Sequence, residues 1–545
     1  MAQIALSVSI TLGVGTLNFA GAARRSGKLF PGSSRRTGTN LCRFSSFQGK
    51  GIRCAVSSSS KNNGGVAEIS ESELAKHFYA WPDNKKPRVC ILGGGFGGLY
   101  TALRLESLFW PDNKKPQVLL VDQSEQFVFK PMLYELLSGE VDAWEIAPRF
   151  SDLLANTSIK FVQDKVKLLD PCDHYDMKNP KNPSCSGTVH LESGLHIEYD
   201  WLVLALGAEA KLDLVPGAAE YALPFSTLWD AQRVDNRLKT LERVNFSKKS
   251  LIRVAVVGCG YSGVELAATI SERLQDRGLV QAINVETMIC PTAPPGNREA
   301  ALKVLQSRNV ELLLGYSVSS IQRVDDAETS EKPNNNRPSQ GTQSELASSR
   351  YELELQPAKR GSQGRTLEAD LVLWTVGSKS LLPTLEPSEN YHKQLPLNAR
   401  GQAETDETLR VKGHPRIFAL GDSSALRDSN GHLLPTTAQV AFQQADFAGW
   451  NLWAAINNRP LLPFRYQNLG EMITLGRSDA SVSPSFIEGL TLEGPIGHAA
   501  RKLAYLIRLP TDEHRVKVGI SWLTKSAVDS IASIQTTLTS VFTAQ

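Results

Sequence analysis

The sequence predicts an α/β protein, because two apolar runs are each followed by a glycine-rich turn and a helix-prone segment. The first run, 89–92, precedes Gly93, Gly95 and Gly98 in GxGxxG spacing. The second, 254–257, precedes Gly258, Gly260 and Gly263 in the same spacing. A buried strand, a glycine turn and a helix form the nucleotide-binding unit of parallel sheets. Two such units predict two Rossmann-like dinucleotide-binding domains.

The three glycines of each turn have separate tasks. The first permits a tight turn out of the strand, the second lets the backbone approach a pyrophosphate, and the third lets the helix pack closely on the strand. The helix N-terminus then directs unpaired N–H groups towards the phosphates. In the first unit the next apolar run, 118–121, ends at Asp122, which we predict to accept hydrogen bonds from a ribose. A glycine-rich turn without a ligand is the alternative.

The N-terminal 54 residues differ in composition from the rest of the chain. They contain no Asp or Glu and carry eight cations among many serines, which is typical of an organellar transit peptide. Without them 51 basic and 56 acidic residues remain, a net charge of −5, so nucleic-acid binding is not supported. The run 51–55 resembles a plastid processing site. We therefore predict a chloroplast location, with dual targeting to the mitochondrion left open.

The cysteines form no CxxC or CxxxxC pair, so the sequence predicts neither a metal site nor a dithiol redox centre. We interpret all seven as buried or inert thiols, at positions 42, 54, 90, 172, 185, 259 and 290.

Two apolar strands that run into a glycine turn close the two units. The first spans 201–208 and ends at Ala208, and the second spans 371–377 and ends at Gly377. The stretch 325–350 is rich in Ser, Asn, Glu and Pro, and we predict a disordered insertion there. The predicted division is a transit peptide (1–54), a flexible arm (55–85), a first dinucleotide-binding domain (86–210 and 381–463), a second (211–380) and a C-terminal amphipathic region (464–545).

Two GxGxxG units, two strand-to-glycine closures and a late Gly-Asp at 421–422 together resemble the two-dinucleotide-binding-domain flavoproteins. In that superfamily the first unit holds FAD and the second holds NAD(P)H. The resemblance implies FAD contacts at Gly93, Gly95, Gly98, Asp122, Lys130, Pro131, Ala208, Asp422 and Ala438. For Lys130 and Pro131 a plain loop is the alternative. It implies NAD(P)H contacts at Gly258, Gly260, Gly263 and Gly377.

Within this superfamily, the runs 260–265 (Gly-Tyr-Ser-Gly-Val-Glu) and 438–443 (Ala-Gln-Val-Ala-Phe-Gln) look like the type II NAD(P)H:quinone dehydrogenases. The stretches 127–148 and 489–510 are similar to its plant plastid branch. Disulfide reductases need a cysteine pair beside the flavin, and no cysteine lies between Gly98 and Phe150.

The resemblance implies an enzyme that passes hydride from NADPH or NADH to FAD and two electrons on to a prenylquinone. For the plastid branch the implied acceptors are plastoquinone-type quinones and demethylphylloquinone, at a plastid lipid body or thylakoid surface, without ion pumping. A reductase of a soluble acceptor and a flavin-binding lipid-body coat protein with little turnover are the alternatives.

Three residues are candidates for the chemistry. Glu265 lies in the first turn of the second unit's helix, where the family places a carboxylate near flavin and nicotinamide. It is expected to tune the flavin or deliver a proton, and an acid favoured by the helix dipole is the alternative. Gln439 and Gln443 lie one helical turn apart. The resemblance places them at the quinone end of the pocket, with a solvated polar face as the alternative.

The nicotinamide preference depends on the end of the second unit's second strand, where an acid binds the ribose 2′-OH and repels a 2′-phosphate. We read this strand as 284–290, which ends Met-Ile-Cys without an acid. Glu286 comes too early unless the strand is shorter. NADPH is therefore expected to be tolerated, with Arg298 as a candidate phosphate partner.

No run approaches the ~20 consecutive apolar residues that span a bilayer. The C-terminal region instead has stripes at helical spacing, which predict helices lying in a lipid interface, with a dimer face or ordinary core as alternatives. The stripes comprise Leu503, Leu506 and Ile507 beside Arg501, Lys502 and Arg508, and later Val528, Ile531, Ile534, Leu538, Val541 and Phe542.

Overall fold

Two parallel sheets carry the two predicted nucleotide-binding units. The computed structural model describes residues 77–543 except for 112–113, 172–186, 249, 325–348, 360–362 and 388–393. The predicted transit peptide, most of the flexible arm, nearly all of the 325–350 insertion and four of the cysteines (42, 54, 172 and 185) lie outside the described residues.

The first half of the described chain contains strands of both parallel sheets. Its strands are β1 (Arg88–Leu92), β2 (Gln117–Asp122), β3 (Lys160–Gln163), β4 (Val166–Asp170), β5 (Gly187–Leu191), β6 (His196–Tyr199), β7 (Trp201–Leu204), β8 (Ala208–Ala210), β9 (Ala222–Pro224), β10 (Ile252–Val257) and β11 (Gly278–Asn284). Of these, β1, β2, β3, β7, β9, β10 and β11 belong to the two parallel sheets. The later strands are β12 (Glu311–Leu314), β13 (Tyr316–Val324), β14 (Arg350–Pro357), β15 (Arg365–Ala369), β16 (Leu371–Trp374), β17 (Ser378–Ser380), β18 (Thr384–Leu385), β19 (Arg410–Val411), β20 (His414–Ala419), β21 (Glu471–Thr474), β22 (Ala480–Ser483) and β23 (Leu492–Glu493).

The longer helices of the two units pack on one face of each parallel sheet, and small antiparallel or mixed sheets cover the other face. The helices are α1 (Phe96–Ser107), α2 (Tyr134–Ser138), α3 (Ala143–Ile146), α4 (Phe150–Leu153), α5 (Ala218–Tyr221), α6 (Leu228–Lys248), α7 (Tyr261–Leu274), α8 (Pro295–Ser307), α9 (Ala438–Ile456), α10 (Gly494–Arg508) and α11 (Asp512–Thr543).

The first sheet has the order β19-β20-β7-β1-β2-β3, and only β19 runs antiparallel to its neighbour. Its central strand β1 is buried on both faces, as the apolar run predicts. Leu92 lies opposite Val121 on one side and Leu204 on the other. The carboxyl ends of β1, β2, β7 and β20 therefore meet at one edge, which is where parallel sheets bind ligands.

The second sheet has the order β12-β11-β10-β16-β9, and all its pairs are parallel. The two-stranded antiparallel ribbon of β8 and β17 lies at the crossing between the two sheets, with Ala208 opposite Ser380. Three small antiparallel or mixed sheets complete the described fold. The predicted α/β class with two Rossmann-like units is confirmed.

The C-terminal helices are held to the first unit by three glutamates, five residues apart, in and beside α2 and α3. Glu135 pairs with Arg501 of α10, and both side chains are 1% exposed. Glu140 pairs with His498 at 2.8 Å and Lys502 at 2.5 Å. Glu145 pairs with Lys525 of α11 at 2.9 Å.

These ion pairs correct the predicted polar stripe of α10. Arg501, which the helical spacing placed beside the lipid-facing side, is fully buried. A buried guanidinium needs a compensating charge, and that charge comes from Glu135, distant in sequence. Leu503 and Ile507, in contrast, are 59% and 49% exposed, so α10 has one charged, buried face and one apolar, exposed face.

We expect Arg501→Met to weaken the attachment of α10, because Glu135 would stay buried without its cation, at a cost of about 3–5 kcal/mol in local stability. Hydrogen–deuterium exchange across α10 measures that loss. Replacing both partners, as Arg501→Met with Glu135→Leu, should restore most of the protection. Lys517→Met, which breaks an exposed pair with Glu513, is the matched control and should change nothing measurable. Native-like exchange in the single variant would contradict the prediction.

Candidate functional site

The first glycine turn has the backbone geometry of a dinucleotide clamp. Gly93 has φ +97°, and a Cβ there would lie 2.2 Å from the Ala205 carbonyl oxygen. A Cβ at Gly98 would lie 1.8 Å from the Gly93 carbonyl oxygen. Gly95 has no atom within 4 Å of the same position, so space lies open before the N-terminus of α1. The turn therefore fits a pyrophosphate where the sequence predicts one.

Two carboxylates and one lysine meet at this clamp. Asp122, at the end of β2, accepts hydrogen bonds from the backbone N–H of Gly94 at 2.6 Å and of Ser124 at 2.7 Å. Asp422 lies in the one-turn helix Gly421–Ser423, directly after β20. Burial raises the pKa of both carboxyls, and Lys130 opposes the shift at both. The structure thus brings together Asp122, Lys130 and Asp422, which are far apart in the chain.

Pro131 and Ala438 are the next predicted flavin contacts, and they remain predictions. Pro131 follows Lys130 in the one-turn helix Lys130–Met132. Ala438 is the first residue of α9. Gln444, which sequence reasoning missed, is buried and accepts a hydrogen bond from the Gly421 N–H at 2.6 Å, so it fixes the turn that carries Asp422. Its position one residue after the conspicuous Gln443 is the signal that could have found it.

The second glycine turn repeats the first. A Cβ at Gly263 would lie 1.8 Å from the Gly258 carbonyl oxygen, and one at Gly260 would meet nothing within 4 Å. The predicted closing strand of this unit, 371–377, lies beside the turn, since the Thr375 side chain donates a hydrogen bond to the Val257 carbonyl oxygen at 2.9 Å. Gly377 accepts a hydrogen bond from Lys211 at 3.3 Å, beside the ribbon that contains Ala208. Both predicted closures therefore meet at the crossing between the sheets.

The predicted strand 284–290 is wrong, because β11 ends at Asn284. Gln281 interrupts the apolar run before Asn284, so the sequence pattern did not reveal the strand. Residues 285–288, which the prediction included, are exposed and form a loop. Asn284 accepts a hydrogen bond from the Cys259 N–H at 3.2 Å, just as Asp122 accepts one from Gly94. A neutral amide therefore occupies the position of the ribose acid in the second clamp. The apolar residues on either side of Gln281 were the sequence signal that could have located this strand and its end at Asn284.

Arg298, the candidate phosphate partner, lies in the first turn of α8. Its guanidinium donates to the carbonyl oxygens of Cys290 at 3.4 Å, Pro291 at 3.3 Å and Ala293 at 2.8 Å. These bonds hold the loop that follows β11. Contact with a 2′-phosphate remains a prediction and would require some of them to break.

Glu265 is buried where α7 meets α2 and α10. One carboxylate oxygen accepts a hydrogen bond from the Thr474 N–H at 3.0 Å. Burial raises the pKa of Glu265 to about 8, against the hydrogen bond from Thr474 and the charge of Arg501, while Glu135 adds to the increase. A carboxyl with this pKa holds its proton at neutral pH and can donate it.

Gln439 and Gln443 bind backbone in the segment 466–470. The Gln439 amide donates to the Gly470 carbonyl oxygen at 3.0 Å and accepts from the Leu469 N–H at 3.0 Å. The Gln443 amide exchanges a similar pair of hydrogen bonds with Gln467, at 2.8 and 3.1 Å. Both glutamines therefore position this segment beside α9. Their contact with quinone remains a prediction.

Comparisons with known proteins agree with this geometry. The model of the pyridine nucleotide-disulphide oxidoreductase family matches residues 87–445. The chain is 68% identical over 510 residues to alternative NAD(P)H-ubiquinone oxidoreductase C1, chloroplastic/mitochondrial, of Arabidopsis thaliana, covering 93% of this chain and 94% of that protein. It is 41% identical to demethylphylloquinone reductase NdbB of Synechocystis, covering 82% and 97%. The structure of Plasmodium falciparum NDH2 with NADH has a similar fold, with a TM-score of 0.60 at 18% identity, and the match covers 81% of this chain and 98% of that one.

We expect Asn284→Asp to lower the efficiency of flavin reduction by NADPH relative to NADH by about tenfold or more, because a carboxylate would repel the 2′-phosphate. The measurement is the ratio of kcat/KM for the two donors. Asn284→Ser, which stays neutral, is the control and should leave the ratio near that of the native protein. The variant Arg298→Gln tests the alternative, in which Arg298 contacts the 2′-phosphate. If it changes the ratio while Asn284→Asp does not, Arg298 and not Asn284 discriminates between the donors.

Proposed function

The chain belongs to the pyridine nucleotide-disulphide oxidoreductase family and, within it, to the type II NAD(P)H:quinone dehydrogenases, and on this basis we propose that it reduces a plastid prenylquinone with NAD(P)H. It is an FAD-dependent oxidoreductase with NAD(P)H as electron donor. The observation that carries the proposal is the pair of glycine turns with the same geometry and open space in front of each.

The two turns account for the two cofactors. The first clamp, with Asp122 and Asp422, is suited to FAD, since these acids can accept hydrogen bonds from ribose and ribityl hydroxyls. The second clamp, with neutral Asn284, is suited to a nicotinamide dinucleotide with or without a 2′-phosphate. FAD bound in the first clamp would supply hydride acceptance from NAD(P)H and two-electron transfer to quinone.

The protein must also supply a proton. Reduction of a quinone by NAD(P)H yields quinol and NAD(P)⁺ and consumes one proton from outside the reactants. Glu265 holds a proton at neutral pH because burial raises its pKa to about 8, and it lies on the second clamp's helix, α7, which packs against α2. We assign it the role of holding this proton for delivery. Gln439 and Gln443 hold the segment 466–470, and we assign to that segment one wall of the quinone pocket.

The relatives' names support our proposals for the acceptor and the location. The Arabidopsis relative is named an NAD(P)H-ubiquinone oxidoreductase, chloroplastic/mitochondrial, and the Synechocystis relative a demethylphylloquinone reductase. For this chain we propose a plastoquinone-type quinone or demethylphylloquinone, in the chloroplast. Both acceptors have apolar tails, so the enzyme needs access to a lipid phase.

The C-terminal helices offer such access. No helix among the described residues has the length and apolar character to span a membrane. α10 and α11 instead expose apolar side chains, namely Ile496, Leu503, Ile507, Val516, Ile520 and Leu523. We propose that this surface, the apolar C-terminal surface, lies on a thylakoid or lipid-body monolayer. A homodimer interface is the competing use of the same surface. The later stripe, from Val528 on, has its side chains almost entirely outside the described part.

We expect quinone-dependent reoxidation of the reduced flavin to slow as the pH rises through about 8, because Glu265 then loses its proton. Glu265→Gln should slow reoxidation about a hundredfold below that pH and abolish the pH dependence. Stopped-flow flavin absorbance measures both half-reactions on one sample, with NADPH or NADH first and a short-chain quinone second. If the flavin is reduced but quinone does not reoxidise it even with lipid present, a soluble acceptor becomes the better proposal.

We expect Leu503→Ser with Ile507→Ser to weaken binding to vesicles of plastid galactolipid, because two exposed apolar side chains leave the lipid contact. Cosedimentation with vesicles measures the binding. Reduction of a short-chain, water-soluble quinone should continue at the native rate. Glu513→Gln, on the exposed charged side of α11, is the control. Unchanged vesicle binding together with a change in oligomeric mass would assign the surface to a dimer instead.

A further inference from the structure

Two free thiols lie together in the second clamp. Cys259 stands between Gly258 and Gly260 of the glycine turn, and Cys290 ends the loop that follows β11. The Cys290 N–H donates a hydrogen bond to the Cys259 carbonyl oxygen at 2.8 Å. Their exposed fractions are 0% and 1%, and both belong to the same apolar core.

That hydrogen bond limits how far apart the two cysteines can be. The Cα of a residue lies about 2.4 Å from its own carbonyl oxygen and about 1.5 Å from its own nitrogen. Added to the 2.8 Å bond, these lengths place the two Cα atoms at most about 6.7 Å apart. Disulfides form between Cα atoms about 4.4–6.8 Å apart, so the backbone already meets this requirement.

The backbone of Cys290 is strained and held in place by its neighbours. Its φ is +41°, a left-handed conformation that non-glycine residues rarely adopt. Its carbonyl oxygen accepts hydrogen bonds from the Ala293 N–H at 2.9 Å and from the Arg298 guanidinium at 3.4 Å. Strain of this kind persists where the surroundings over-determine the conformation, and it is concentrated at functional sites.

The loop before Cys290 provides a route to the thiols. Val285 and Met288 are large apolar residues that lie exposed on the surface. Burial raises the pKa of both thiols to about 12, so neither is a nucleophile while the loop is closed. Reaction at the thiols would therefore require this loop to move. A dinucleotide in the clamp would hold the loop closed.

We propose that Cys259 and Cys290 form a reversible disulfide that switches off the electron-donor site. The inference rests on the proposed function of the second clamp as the NAD(P)H site. The disulfide would tie the glycine turn to the loop after β11, and both lie where the dinucleotide must bind. The Cys259 N–H also donates to Asn284, so the disulfide would form directly beside the residue that we assign to the ribose position.

The oxidant is a disulfide compound, such as oxidised glutathione or a protein disulfide. One cysteine, as thiolate, attacks a sulfur of the oxidant to form a mixed disulfide and releases the first thiol. The other cysteine then attacks the mixed disulfide at the protein sulfur, closes the Cys259–Cys290 bond and releases the second thiol. Two electrons and two protons pass from the cysteine pair to the oxidant.

The test treats the purified full chain with oxidised glutathione, with and without NADP⁺, and maps disulfides by mass spectrometry of non-reduced peptides. We expect a 259–290 linked peptide, less of it with NADP⁺, and none in Cys259→Ser or Cys290→Ser. Cys90→Ser is the matched control and should still give the linked peptide, since Cys90 is an equally buried thiol in β1 with Leu119 and Leu202 as its strand partners.

Flavin reduction by NADPH is then compared before and after oxidation. We expect about a tenfold loss, reversed by dithiothreitol and absent in Cys290→Ser, with bound FAD unchanged. The absence of a 259–290 peptide overturns the proposal, and so does a linked peptide with no change in flavin reduction. If the reduced protein does not accept electrons from NADPH at all, the proposed function fails, while the peptide map still decides whether the disulfide forms.

Discussion

The buried ion pair between Glu135 and Arg501 is the contact on which the C-terminal half of the site depends. Each charge alone would cost several kcal/mol to bury, so neither side chain can stay in the interior without the other. The pair joins α10 to α2 at the point where Glu265 enters from α7. The same contact therefore holds the last helices in place and sets part of the electrostatic environment of the candidate proton donor.

As a consequence, the two faces of α10 have different surroundings. Its charged face is bound to Glu135 and Glu140 of the first unit, so its apolar face lies on the outside. A helix with one face fixed by ion pairs cannot rotate to bury its other face against its own protein. This gives the apolar C-terminal surface a fixed orientation relative to the first clamp.

The two clamps share a backbone geometry but differ in their side chains. Both have a first glycine with positive φ, a third glycine in contact with the first, and an open position between them. The strand that follows ends in Asp122 in one clamp and in Asn284 in the other. The first clamp also has Asp422 and Lys130 beside it, and the second has Cys259 and Cys290. The repeated backbone therefore carries different charges at its edges, which is consistent with the two different dinucleotides that we propose for the two clamps.

The sequence by itself determined the α/β class, both glycine turns, Asp122 at a strand end and the family, because each depends on local spacing. The turn glycines are required by contacts within a few residues, and such contacts are visible in a motif. Only the tertiary structure decided that Arg501 is buried, that β11 ends at Asn284, that Gln439 and Gln443 bind 466–470, and that Cys259 meets Cys290. These outcomes arise from pairings between distant segments, and helical or strand periodicity specifies which face a residue occupies but not which partner covers it.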